Sequence, residues 1–470
     1  MHADLPTRVK RCIERHAMFS PGERVAVGCS GGADSSCLLH VLAEGLREWS
    51  LSLVAVYVDH GLRDDTRAER EWVRRLAGRC GAEYVEMKVD VPARVAATGE
   101  SVQEAARELR YEALRRAAAA QGARRIAVGH TLTDQAETVL MQALRGAGLR
   151  GLSGIAPVLG DIVRPLLWVS RAETESYCRE HGLEYVDDPS NASDTYLRNR
   201  IRRRLFPLLA GINPAAERHL AQLAEIAREE DAVVAAEAER AARALFEVQE
   251  AEGAVAVRVD GKALTGLSRA IARRLVRRAY GMAAGDEKGL DFDHVEEVLE
   301  RAAESRGSFT IGVFGGVAVR NEYGRVVFEP SGANRAEPQP ERPVNVPGET
   351  VHAGLAVRLR AQVVDGPLSA VRVRFPPGPR RALLDWEKLA PPLAVRSRKE
   401  GDRLQPLGLS GTKKVKDILI DAKVPKSQRE KVPVVADRRG VVWVVGYALA
   451  ERVRAGEESR RILCLEAEPL

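Results

Sequence analysis

A parallel sheet with helices on both faces, the α/β class, is the fold this sequence predicts for its first two hundred residues, and two observations predict it. From about residue 22 to 190, short apolar β-type runs alternate with amphipathic helical stretches, the order that gives parallel strands joined by crossovers. The first of these runs, Val25-Ala26-Val27, leads directly into a Gly-rich turn and then an apolar helix from Ser36 to Leu46. At 470 residues the chain exceeds what one core serves, and about 150 residues per domain suggests three domains.

The elements follow in order. Candidate strands are Arg24 to Cys29, Leu53 to Val58, Tyr84 to Val89 and Arg125 to Gly129, with helical runs Thr66 to Gly78 and Ser101 to Ala120 between them. Residues 1–212 are thereby expected to form the catalytic domain. From Pro214 to about Phe246, Leu220, Leu223 and Ile226 recur at helical spacing, so a long helix leaves that domain. A strand (Val255 to Val259), a basic helix (Ser268 to Gly281), a further helix (Phe292 to Ser305) and a Gly-punctuated β-rich stretch complete a helix-rich second domain, 213–330. Prolines at 338, 340 and 343 mark 331–348 as a semi-rigid linker. Beyond it, β-type runs (Ala356 to Leu359, Val371 to Phe375, Val441 to Val445) and a basic helical stretch, Lys413 to Lys423, suggest a small α+β domain at 349–470.

An apolar share of 45% with 29% charged residues excludes the disordered and membrane classes. The net charge of +6 is modest, but the run Arg198-Asn199-Arg200-Ile201-Arg202-Arg203-Arg204 concentrates it and favours a polyanionic partner. Cys12, Cys29, Cys37, Cys80, Cys178 and Cys464 include no C-x-x-C pair, which argues against a zinc ribbon, an iron–sulfur cradle or a disulfide framework. The first residues lack an apolar signal core, and no run approaches about 18 apolar residues, so a cytoplasmic enzyme with no membrane partner is expected.

The segment Ser30-Gly31-Gly32-Ala33-Asp34-Ser35 carries the chemistry. Adjacent glycines let backbone N–H groups approach phosphate oxygens, the following helix N-terminus adds partial positive charge, and Ser30 and Ser35 supply hydroxyls. A Walker A loop requires lysine where this segment is acidic, which disfavours ordinary γ-phosphate transfer. Asp34 suits Mg²⁺, because a carboxylate beside phosphates would repel them unless a cation lay between.

This segment resembles the PP-loop of the N-type ATP pyrophosphatases, and four others are similar to the bacterial tRNA(Ile)-lysidine synthetases. They are Val58-Asp59-His60-Gly61-Leu62-Arg63, Ala106-Arg107-Glu108-Leu109-Arg110-Tyr111, Gly129-His130-Thr131-Leu132-Thr133-Asp134-Gln135-Ala136-Glu137-Thr138 and Arg198-Asn199-Arg200-Ile201-Arg202. The likeness continues through Arg398-Lys399-Glu400-Gly401-Asp402-Arg403 and Gly411-Thr412-Lys413-Lys414-Val415-Lys416, so it covers most of the chain. It implies a Rossmann-like catalytic domain, ATP and Mg²⁺ as cofactors, and isoleucine tRNA and free L-lysine as substrates. A homodimer is also the family's suggestion.

Read as residues, Thr131 and Asp134 have capping-box form, which starts a helix after the strand ending at Gly129. Asp134 and Glu137, three apart, share a helix face, and paired carboxylates can hold an ammonium group, here that of the lysine substrate. Either could also accept its proton. His130, at a strand end, is a candidate contact for phosphate or the substrate base. Arg110 and Arg200 are candidates for neutralising phosphate charge, since guanidinium contacts are bidentate and permanently charged. The expected reaction has two steps, attack of the cytidine C2 oxygen on the ATP α-phosphorus and displacement of AMP by the lysine ε-amine. Lys413, Lys414, Lys416 and Lys423 are expected to meet the RNA backbone. Two alternatives stay open, a cytidine thiolase, which usually brings cysteine pairs, and a tRNA-binding protein without activity, against which Asp34 argues.

Overall fold

The computed structural model describes residues 4–62, 67–186, 197–251, 254–287, 289–304, 307–331 and 338–470. Arg63, Thr66, Ser305 and residues 332–337 of the expected linker lie outside the described residues. Two compact units are present, Met1–Val233 and Val234–Leu470.

In the first unit β1 (Arg24–Gly28), β2 (Ser52–Asp59), β3 (Glu83–Lys88), β4 (Arg125–Val128), β5 (Val158–Leu159) and β6 (Ile162–Val163) form one sheet, ordered β3-β2-β1-β4-β6-β5. All neighbours are parallel except the edge pair β5 and β6. The helices are α1 (Leu5–Arg15), α2 (Ala33–His40), α3 (Arg67–Arg79), α4 (Val91–Thr98), α5 (Val102–Ala120), α6 (Leu132–Leu144), α7 (Leu149–Leu152), α8 (Arg171–Glu180), α9 (Leu197–Arg200) and α10 (Phe206–Ile212). The period-two alternation of the central strand divides the core. Val25 and Val27 join the layer beneath α1, α2, α3 and α8, with Ile13, Leu38, Leu39, Leu76 and Cys178. Ala26 faces the other layer, where Val54, Val56 and Ile126 meet Leu114 and Ala117 of α5. Each buried valine, leucine or isoleucine among them contributes roughly 1.5–3 kcal/mol relative to exposure.

The strand order matters for function. The chain steps from β1 outward to β2 and β3, then returns to place β4 on the other side of β1, so the loops after β1 and β4 diverge from a topological switch point. Pairing of Gly28 with Val128 brings the Gly-rich turn and the segment Gly129–Thr131 side by side.

A 30-residue helix, α11 (Ala216–Leu245), runs across the boundary between the units. The second unit holds an antiparallel sheet of β7 (Glu247–Ala251), β8 (Ala254–Asp260), β9 (Ser308–Phe314), β10 (Val317–Glu322) and β11 (Arg325–Pro330), ordered β7-β8-β11-β10-β9. Helices α12 (Gly261–Thr265), α13 (Arg269–Ala284) and α14 (Phe292–Ala302) cover it around Tyr280 and Phe328. The C-terminal part builds its main core from two further antiparallel sheets, one of five strands and one of four, and the paired central strands of the latter are Val357–Asp365 and Arg461–Pro469.

One sequence expectation fails here. Val371 to Phe375 is not a strand: α15 (Leu368–Arg374) takes it, burying Leu368 and Val371 while leaving Val373 86% exposed. Alternation would have placed Val371 and Val373 on one face, whereas helical geometry separates them. Lys413 to Lys423 divides into a two-residue strand, Lys413–Lys414, and α16 (Val415–Asp421). All six cysteines are free, five of them buried. Among the described residues no helix is long and apolar enough to cross a membrane.

Candidate active site

The turn after β1 is built to present amides. Gly31 sits at φ +85°, a conformation an L side chain rarely adopts, and Gly32 is the N-cap of α2 with no side chain capping it. The first amides of α2 are therefore left for a ligand. The hydroxyls are already organised: the Ser30 amide donates to Ser35 Oγ (3.2 Å), the two hydroxyls lie 3.3 Å apart, and Ser35 Oγ donates to the Gly32 carbonyl at 3.0 Å. Gly129 lies hard against this turn, since a Cβ there would come within 3.2 Å of the Asp34 carbonyl carbon and the Ser35 nitrogen.

Asp34, in the first turn of α2, is reached from α8. Thr174 Oγ1 stands 2.5 Å from its Oδ1, and Arg171 approaches Oδ2 at 3.8 Å. Burial pushes the Asp34 carboxyl up to about 6, with Asp134 adding to the rise, while the Thr174 hydrogen bond and Arg171 and Arg202 oppose it. α8 starts where it does because Ser170 and Glu173 close a capping box.

Thr131 and Asp134 close another at α6: Asp134 Oδ2 accepts from the Thr131 amide at 2.8 Å, and the Asp134 amide donates back to Thr131 Oγ1. Its Oδ1 accepts from Arg198 at 2.8 Å. Burial pushes the Asp134 carboxyl up, but Arg198, His130 and the Thr131 amide together hold it below its usual range. His130 Nδ1 accepts from Arg164 Nε at 3.2 Å, and burial, with Arg164, Arg110 and Arg198 nearby, pulls the imidazole down to about 3. Arg110, on α5, is likewise drawn below the usual guanidinium value by burial.

Two adjoining cavities meet here. One, of about 680 Å³, is lined by the Gly-rich turn together with Asp34, Asp134 and Arg171. The other, of about 710 Å³, is lined by Tyr111, Thr138, Gln142 and Arg145. His60, Arg110, His130 and Arg198 line both.

The geometry revises two expected roles. Glu137 has no exposure and lines neither cavity; its Oε2 accepts from Arg198 Nε and its Oε1 from Arg202 Nε, each at 2.5 Å. Of the two carboxylates only Asp134 lines the cavity. Arg200 is exposed and lines neither cavity, whereas Arg198 and Arg202 turn inward. A signal was available: Arg198 and Arg202 are four apart and share a helix face, and Arg200 lies between them on another. Arg164, Arg171 and Thr174 escaped sequence reading because their partners are 34, 137 and 140 residues away.

A parallel sheet with an amide-lined phosphate turn at its switch point defines an ATP-binding class, and the PP-loop domain family matches residues 1–209. The TilS substrate C-terminal domain family matches residues 393–464. The chain belongs to the tRNA(Ile)-lysidine synthase family. It is 40% identical over 465 residues to the tRNA(Ile)-lysidine synthase of Symbiobacterium thermophilum, covering 96% of this chain and 95% of the relative. The enzyme of the same name from Solibacter usitatus is 39% identical, covering 95% and 99%. That of Caldanaerobacter subterraneus subsp. tengcongensis is 34% identical, covering 98% and 97%. Membership carries the enzyme class with it, an ATP-using ligase.

Proposed function

We propose that this enzyme joins lysine to C2 of the wobble cytidine in an isoleucine tRNA with a CAU anticodon, by way of an adenylated cytidine, converting ATP to AMP and pyrophosphate. The observation that carries the reading is the pair of adjoining cavities sharing His60, Arg110, His130 and Arg198. One holds a phosphate turn, so its neighbour can receive the group to be adenylated within reach of the α-phosphate.

The roles follow from position. Ser30, Gly31, Gly32, Ala33 and Ser35 cradle the leaving pyrophosphate with their amides and hydroxyls. Arg110 and Arg198 stabilise charge as it develops on the α-phosphate, acting from a site where burial strengthens them. Asp134 receives the lysine ammonium as ATP phosphates draw Arg198 from its Oδ1. Among the described residues no cluster of three or more His, Cys, Asp or Glu could hold a metal unaided. The donor set nevertheless fits Mg²⁺, which takes one or two carboxylates and completes its shell with phosphates and water, and Asp34 stands beside the phosphate turn. Bound there, Mg²⁺ would screen the phosphates and stabilise the leaving group. In the second unit Lys414, Lys416 and Lys423 are exposed, which supports a role for them in meeting RNA phosphates. The reaction belongs in the cytoplasm, where tRNA is matured.

The test is pyrophosphate release from ATP. Sustained release with AMP formation is expected only when isoleucine tRNA (CAU) and lysine are both present, tRNA without lysine giving at most one pyrophosphate per enzyme-bound tRNA, and Asp34→Ala should abolish it while retaining tRNA binding. Release without tRNA would point instead to a small-molecule synthetase, and full activity in Asp34→Ala would remove the Mg²⁺ role.

A further inference from the structure

Arg164 is 2% exposed, although a guanidinium is among the costliest groups to bury. It follows β6 directly, and β6 pairs Ile162 with Ile126 and Val163 with Ala127, so Arg164 runs level with the end of β4, just before His130. It is anchored three ways: Nη1 donates to the Ala156 carbonyl (2.6 Å), its own amide donates to the Pro157 carbonyl (3.0 Å), and Nε donates to His130 Nδ1 (3.2 Å).

The last contact settles the chemistry of the imidazole. Guanidinium nitrogens carry hydrogens and offer no lone pair, so an imidazole nitrogen that an arginine approaches has to be the acceptor. A ring whose Nδ1 accepts carries its one proton on Nε2. We propose that Arg164 is a positioning residue that locks His130 in the neutral Nε2–H form, so that His130 meets the reactants as a hydrogen-bond donor and not as a proton acceptor. His130 lines both cavities, which places that donor at their junction, where an oxygen acceptor of the reactants would lie. The charged groups around the ring agree: Asp134 favours a second proton, but burial and the three arginines Arg164, Arg110 and Arg198 oppose it. A second consequence follows: the proton lost by the lysine amine goes to a group other than His130.

The inference rests on the lysidine reading for the identity of the acceptor, not for the state of the ring. The decisive measurement is therefore the ¹⁵N spectrum of histidine-labelled, full-length protein, with His130 assigned by its disappearance in His130→Gln. A pyridine-type Nδ1 and a pyrrole-type Nε2 that persist at mildly acidic pH are expected; a protonated Nδ1, or a His130 titrating in the ordinary range near 6.5, overturns the proposal. Activity supplies a second test, read as tRNA- and lysine-dependent pyrophosphate release. His130→Gln keeps an amide donor near the Nε2 position and should stay within about tenfold of the parent, whereas His130→Ala should lose on the order of 100-fold in kcat. Equal losses in the two variants would overturn the donor role. Arg164→Met should lower kcat by roughly 10–100-fold with the ATP KM little changed, and should release His130 from its tautomer. Lost activity with an unchanged His130 spectrum would show a merely structural arginine. Should Arg164→Met fail to fold, the spectrum of the unsubstituted protein and the Gln–Ala comparison still decide. If tRNA and lysine never stimulate pyrophosphate release, the functional reading fails while the spectrum still reports on the ring.

Discussion

Glu137 is a carboxylate with no solvent contact, held between two arginines that each keep part of their surface in water. Arg198 also reaches Asp134, so one guanidinium links a buried carboxylate to one that faces the cavity. Removing the charge of Glu137 leaves Arg198 and Arg202 to share Asp134, at 2.8 and 3.6 Å, in place of the two carboxylates they share now. Glu137→Gln is expected to destabilise the first unit by about 2–3 kcal/mol, below the usual loss for a fully buried pair because both arginines can recover solvent. Urea unfolding followed in that unit checks it, and an unshifted midpoint would contradict the buried-pair role. Arg200→Ala, at an exposed position, should stay within about 0.5 kcal/mol in the same experiment. Local sequence shows acidic and basic residues at helical spacings, but which pair closes depends on two segments about sixty residues apart meeting.

At the scale of elements, the site depends on two loops that leave neighbouring strands. The turn after β1 was legible because its glycines, serines and aspartate are contiguous, and the capping box at α6 because its two residues are three apart. Gly129 was legible only as the end of a strand. Its purpose is the close approach of β4 to the start of α2, and Gly129→Ala would push a Cβ against the backbone of Asp34 and Ser35 at 3.2 Å. Because that contact is with backbone, the phosphate turn has to move. The expected outcome is an ATP KM raised on the order of tenfold with the fold retained, measured by pyrophosphate release at varied ATP; an unchanged KM would show that the turn tolerates displacement. The misread strand at Val371 has the same lesson in reverse. Its alternation favours a strand, and the tertiary need to cover Ile462 and Cys464 makes it a helix.

Across the whole molecule, the second unit joins two sheet-based cores through a hairpin tip. Tyr323, at φ +55° between β10 and β11, places its hydroxyl 3.3 Å from the Ile420 carbonyl and 3.4 Å from that of Val424, and it accepts from Arg429 at 3.0 Å. A non-glycine residue in the left-handed region is costly, and these contacts account for its retention. Tyr323→Phe should lower the stability of the second unit by about 1 kcal/mol, seen as a lower unfolding midpoint, with pyrophosphate release unchanged at saturating tRNA. A neutral substitution would mean that the Tyr323 hydroxyl contributes nothing to joining the two cores. The motif Arg398 to Arg403 is structural in the same sense. Asp402 takes a bidentate contact from buried Arg396 at 2.7 and 2.9 Å and caps the turn through the Lys399 amide.

By itself the sequence determined the parallel sheet, the phosphate turn, the helix starts at Ser101 and Thr131, and the family, because each is written in residues only a few positions apart or in patterns of period two and 3.6. Tertiary structure alone decided which side chains of those segments face the cavities. It sent Glu137 into the protein and left Asp134 at the surface of the site, exchanged Arg200 for Arg198 and Arg202, and brought Arg164 to His130 and Thr174 to Asp34. The reason is physical: a buried charge is stable only beside its counter-charge or donor, and that partner is supplied by whichever distant segment the sheet order brings alongside.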